Sequence, residues 1–188
     1  MWREFNKFGK KLVQYGLTHS HFGNMSVRVG DKMFITRSGS MLDELDENQV
    51  VEVHLHKPTS FDIIASSELI VHREIYKNTS ALAIIHAHSP FAIILSLLTD
   101  EKEIIPMDSE SIYFLHEIPI ITGKVGSTEL AHNAADALKD HKAVIIKGHG
   151  TIAIGKILEE AYVHTCCVEH ACKVKYFVDL QNALTGRL

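Results

Sequence analysis

The chain has 188 residues, 46% of them hydrophobic and 22% charged, with a formal net charge of -4. That balance suits one globular domain, residues 1–188, with a full core. The lack of a basic run argues against a nucleic-acid groove or an anionic membrane surface as a partner.

In chain order, residues 1–5 carry charge without the apolar segment of a signal peptide, and no apolar run is long enough to span a bilayer. A cytoplasmic protein is expected. Phe5, Phe8, Leu12 and Tyr15 fall at helical spacing, predicting an amphipathic helix over 3–15 that Gly16 stops. Residues 24–29 and 32–36 read as strands joined by the turn Gly30-Asp31. Arg37-Ser38-Gly39-Ser40 follows as a loop, 45–48 as a short turn or helix capped by Asp43 or Asp46, and 49–55 as a strand. Ser66-Ser67-Glu68 opens a helix running to about Lys77, which puts Glu68 in its first turn.

Ala83-Ile84-Ile85-His86-Ala87-His88 is the most apolar strand. Ser89 suits a helix N-cap and Pro90 the first helical position. The helix over 90–98 has few charges and is expected to be buried. Further on come a strand at 118–121, a helix at 127–139 capped by Ser127 or Thr128, strands at 143–147 and 151–154, and one long helix over 156–184. Hairpins mixed with helices predict an α/β fold with a mainly antiparallel or mixed sheet covered by helices.

The 13 histidines exceed the usual share. Three H-x-H runs occur, His19/His21, His54/His56 and His86/His88, and in an extended chain each pair points to one face. The last ends a strand whose rigid surroundings can fix ligand geometry, whereas the others lie in or beside polar loops. His149, between Gly148 and Gly150 at another strand end, offers a third ligand. Three imidazoles with one open position form a catalytic zinc arrangement, and cobalt, nickel or iron would also fit. Cys166, Cys167 and Cys172 lie on the last helix, too few and too close together for a disulfide framework. Gly23-Asn24-Met25-Ser26, Arg37-Ser38-Gly39 and Ser66-Ser67 supply hydroxyls, an amide and backbone N–H groups for an anion site that needs no lysine. Glu68 becomes a candidate base if the metal lies beside it.

Gly-Asn-Met-Ser at 23–26, Thr-Arg-Ser-Gly at 36–39, Ser-Ser-Glu at 66–68, His-Ala-His-Ser-Pro at 86–90 and Lys-Gly-His-Gly at 147–150 occur in this order. Together they resemble the class II aldolase/adducin family, especially its fuculose-phosphate aldolase-like members. The resemblance implies a central antiparallel sheet with helices on both faces, and zinc on His86, His88 and His149. It further implies phosphate on Asn24, Ser38, Gly39, Ser66 and Ser67, with Glu68 as acid/base that also ligates the resting metal. The implied reaction is reversible retro-aldol cleavage of a fuculose-1-phosphate-like sugar through a metal-stabilised enediolate. The implied assembly is a homotetramer with sites where subunits meet and a second acid, Glu110 or Tyr113, from a neighbour. A pentose-phosphate 4-epimerase, a sugar-phosphate dehydratase and a non-catalytic adducin-like module are the alternatives.

Overall fold

The computed structural model describes residues 1–186; residues 187 and 188 lie outside the described residues. Six α-helices and eight strands follow one another: α1 (Trp2–Gln14), β1 (Asn24–Val29), β2 (Lys32–Thr36), β3 (Val50–His54), α2 (Leu69–Asn78), β4 (Ala83–Ala87), α3 (Pro90–Leu98), β5 (Glu103–Ile104), α4 (Ser109–Leu115), β6 (Ile118–Ile121), α5 (Thr128–Ala137), β7 (Ala143–Ile146), β8 (Gly150–Gly155) and α6 (Leu158–Thr185). The strands form one sheet in the order β3-β2-β1-β4-β8-β7-β6-β5. Every pairing is antiparallel except β6 with β7. The expected mainly antiparallel α/β sheet is therefore present.

Strand alternation sorts the core into two faces. Ile84 on β4, Ile152 on β8, and Val144 and Ile146 on β7 pack beneath α2 and α5. Ala83, Ile85 and Ala87 on β4, with Ala153, Ala143 and Ile145, face α1, α3, α4 and α6. All five residues of β4 are buried, which is why its sequence shows no polar alternation. No described helix is long and apolar enough to cross a membrane.

The structure changes several local expectations. Helix α2 begins at Leu69, so Glu68 is its N-cap residue and not part of the first turn, and Ser66 and Ser67 precede it in a turn. The 3-10 turn Glu47–Gln49 is capped by Asp46, one of the two residues anticipated. Strand β5 and helix α4 arise in a stretch the pattern left unassigned, too short for either period to register. Helix α3 is only partly buried: Ala92, Leu95 and Ser96 face the core, but Leu97 and Leu98 are exposed. Its last turn lies by the β7–β8 turn, with Leu97 beside Gly148, where low charge no longer signals a core position.

Ser89 occupies the N-cap position of α3, yet its hydroxyl makes no capping bond. It is turned toward Leu17 O and Thr151 Oγ1 instead. The free N–H groups of Phe91 and Ala92 donate to the carboxylate of Glu169 on α6, at 3.0–3.1 Å. A carboxylate at a helix N-terminus satisfies orphan donors and complements the helix dipole. Glu169→Ala is expected to cost about 1–2 kcal/mol in urea unfolding, the scale of a lost charged cap. A cost under a few tenths of a kcal/mol would show that water caps α3 equally well.

Candidate functional site

Strands β1 and β8 flank the C-terminal end of β4, pairing Asn24 and Ile152 opposite His86 and Thr151 opposite Ala87. Glycines permit this closeness. A Cβ on Gly23 would stand 2.4 Å from the His86 carbonyl oxygen, and one on Gly150 would stand 2.3 Å from that of Ala87. Gly148 takes φ +71°, closing the β7–β8 turn that presents His149.

His86, His88 and His149 come together there, with one ligand nitrogen of each within 4.8 Å of the others. His86 Nδ1 lies 2.9 Å from the carbonyl oxygen of Thr151. A carbonyl only accepts, so Nδ1 carries a proton and Nε2 is the nitrogen left to face the cluster. That Nε2 lies 3.1 Å from His88 Nε2. Burial, with help from the neighbouring imidazoles, pushes His88 down to about 4 and also lowers His149. His149 Nδ1 is buried with no hydrogen-bond partner. Converging imidazoles, one held by a backbone carbonyl and one with an orphaned nitrogen, fit a divalent transition metal.

Glu68 stands beside this cluster. Its Oε2 is 3.3 Å from His86 Nε2 and accepts from Asn24 Nδ2 at 2.9 Å, while its Oε1 is buried without a partner. Burial pushes the carboxyl up, but His86, the Asn24 amide, His72 and His149 outweigh it and hold Glu68 below its ordinary value. Asn24 places one N–H on Glu68, which leaves the second N–H of the same amide for another acceptor.

A polar seam fixes α2 against β1 behind Glu68. Asn24 meets Glu68, Ser26 Oγ meets both His72 Nδ1 (2.6 Å) and Tyr76 OH (2.8 Å), and Arg28 Nη1 donates to Tyr76 O (2.8 Å). Two strand residues advance about 6.6 Å and four helical residues about 6 Å, so alternate positions on β1 stay in step with successive turns of α2.

Asn24, Ser38, Gly39, Ser66, Ser67, Glu68 and the three histidines all line one cleft of about 190 Å³. Sequence reasoning missed others along it: Phe22, Arg37, Ser40 and Val125. Arg37 sat inside a quoted motif, but Val125 comes from the loop after β6 and left no local signal. Phe22 stacks on His88, ring centroids 5.3 Å apart at 14°. Of the other H-x-H pairs, His21 reaches the cleft wall. His54 and His56 bond to each other at the far edge of the sheet, through His56 N–H to His54 Nδ1 at 3.0 Å. Lys147 donates to Thr99 O and stays outside the cleft. Glu110 and Tyr113 are exposed on α4 and do not line their own chain's cleft.

The family model described as "Class II Aldolase and Adducin N-terminal domain" matches residues 3–176. An L-fuculose phosphate aldolase of Methanocaldococcus jannaschii is 33% identical over 180 residues, covering 92% of this chain and 93% of that protein. Its counterpart in Methanococcus maripaludis strain C7 is 33% identical over 165 residues, covering 84% and 86%. The crystal structure of L-fuculose-1-phosphate aldolase from Thermus thermophilus superposes with a TM-score of 0.91 at 32% identity, covering 97% of this chain and 95% of that one.

His72 yields a pH prediction. It is fully buried, and burial pushes its pKa from 6.5 to about 4, with Glu68 opposing and His86 reinforcing the shift. The unfolded chain therefore binds a proton that the folded chain refuses. Stability is whole above pH 6.5 and falls as the pH drops from 6.5 toward 4, by on the order of 3 kcal/mol. Urea unfolding of chelator-treated protein at pH 7.5 and pH 5 measures the loss, and His72→Gln is expected to flatten it. Equal slopes in the two proteins would assign the acid sensitivity to other groups.

Proposed function

The chain belongs to the class II aldolase and adducin family, and from that premise we propose that its cleft cleaves a phosphorylated, fuculose-1-phosphate-like sugar with the help of zinc. It is an enzyme, a class II aldolase and so a carbon–carbon lyase. The observation that carries the proposal is a buried carboxylate 3.3 Å from a three-imidazole cluster, in one cleft with neutral anion-binding loops. A non-catalytic module has no need of that combination.

In this reading His86, His88 and His149 hold the metal. When bound, it supplies Lewis-acid polarisation of the substrate carbonyl and of its neighbouring hydroxyl oxygen. The chain's own groups do the rest. The second N–H of Asn24, the Ser38, Ser66 and Ser67 hydroxyls and the Gly39 backbone hold the phosphate and so fix the distance of the reacting carbons from the histidines. Asn24 also clamps Glu68 Oε2, leaving the unpartnered Oε1 to face the substrate. In cleavage the hydroxyl on the aldehyde-side carbon gives its proton to the second acid/base, Glu110 or Tyr113 of a neighbouring subunit, and its oxygen becomes the aldehyde oxygen. The electron pair of the breaking carbon–carbon bond stays with the ketose-side carbon, which takes a proton from Glu68 after that carboxylate has drawn one from solvent. In condensation Glu68 removes the same proton.

The proposal takes residues 1–188 as one domain in the cytoplasm, where three free thiols suit a reducing setting. It also includes a homotetramer. Leu97, Leu98, Ile105, Met107, Ile112 and Tyr113 are exposed apolar side chains on α3, α4 and the segment between them. Leu97 lies against Gly148, beside the His149 turn, so a neighbour covering this surface would meet the cleft. Glu110 or Tyr113 then serves a neighbour's cleft as the second acid. Light scattering at micromolar concentration is expected to give a tetramer; a fully active monomer would exclude it.

Glu68→Gln tests the chemistry. The variant keeps the shape and the Asn24 contact but loses the proton acceptor. Both cleavage and hydrogen–deuterium exchange at the carbon beside the carbonyl of the ketose-side product should fall by about 10²- to 10⁴-fold. NMR in deuterated water follows the exchange, and elemental analysis checks that metal content is unchanged. Exchange at the wild-type rate would mean another group is the base.

A further inference from the structure

The anion-facing part of the cleft contains two side chains with no role so far, Arg37 and Ser40. Both line it together with Ser38 and Gly39. The turn that carries them is pinned from several sides. Arg37 N–H donates to Gln49 O at 2.9 Å, Ser38 N–H to Ile64 O at 3.0 Å, and Ser66 N–H to Thr36 O at 3.1 Å. Arg37 also bridges to Ala65, and Ser40 N–H closes the turn on Arg37 O at 3.2 Å.

Each side chain is unspent. Ser40 is 8% exposed, and its Oγ is buried with no hydrogen-bond partner. A buried hydroxyl left unpaired beside a cleft is a group waiting for a ligand atom. Arg37 is exposed and, among the described residues, makes no salt bridge or side-chain hydrogen bond. It is also the only lysine or arginine among the cleft-lining residues.

The ligand chemistry identifies what they suit. The groups already assigned to phosphate (Asn24, Ser38, Gly39, Ser66 and Ser67) are all neutral donors. A phosphate monoester carries close to two negative charges at neutral pH and offers three acceptor oxygens. Neutral donors select its shape, whereas a guanidinium adds charge-assisted, bidentate bonds that an uncharged hydroxyl cannot evoke. We propose that Arg37 and Ser40 complete the anion subsite, Arg37 as countercharge and Ser40 as a further hydroxyl donor, and so make the cleft selective for a dianionic phosphate monoester over the unphosphorylated sugar. This assignment rests on the phosphate reading given above.

Calorimetric titration of the metal-loaded protein with glycerol 1-phosphate, with glycerol as the uncharged control, separates the two ideas. Arg37→Gln is expected to weaken binding by about tenfold or more, the loss of a charge-assisted pair, and to flatten the dependence on salt. Arg37→Lys should recover part of the affinity and the salt dependence. Ser40→Ala should weaken binding by about three- to tenfold with the salt dependence intact. If Arg37→Gln and Ser40→Ala bind glycerol 1-phosphate within twofold of wild type while Ser67→Ala binds it more weakly, the extended subsite is wrong and the phosphate reading stands. If Ser66→Ala and Ser67→Ala are also without effect, both fall.

Discussion

The site depends on how closely three strands approach at the end of β4. Gly23 on one side and Gly150 on the other leave room for neighbouring carbonyls where any Cβ would collide with backbone. That closeness places Thr151 O on His86 Nδ1, fixing the tautomer that turns the other nitrogen inward. It also places the β7–β8 turn, with His149 on it, over the same spot. A side chain at either glycine would push a strand outward.

The second constraint is the seam between β1 and α2. The Glu68 carboxylate is not held by its own helix, since it makes no side-chain capping bond at the N-cap. Its position comes from Asn24 directly, and from Ser26, His72, Tyr76 and Arg28, which set the register of α2 along β1. Burying so many polar groups is favourable only when they are paired. Asn24 Oδ1, Glu68 Oε1 and His149 Nδ1 are unpaired and belong to residues that line the cleft, while His72 Nε2 stays unpaired behind it. The seam thus trades its last bonds for contact with whatever enters.

Much of this was legible in the sequence, for identifiable reasons. The period-2 and period-3.6 signals were strong in β1, β2, β4, α1 and α6, and those elements lie within a residue or two of expectation. The convergence of His86, His88 and His149 could be suspected because each stands where a strand ends. What failed was anything that depends on distant partners. Ser89 looked like a cap, but Glu169, far along the chain, satisfies α3. Neither β1 nor α2 alone gives a sign that Ser26 and His72 meet, and only the fold brings them together. Leu97 and Leu98 looked buried, and only the packed fold shows that they are not.

In the proposed enzyme the grip on β4 exists to hold a metal. The most direct measurement is elemental analysis, with equilibrium metal titration, of the wild-type protein and of His86→Ala and His149→Ala, each checked for native circular dichroism. One divalent transition metal per wild-type chain is expected, and its loss from both variants while the fold persists. Full metal occupancy in the two folded variants would contradict that expectation.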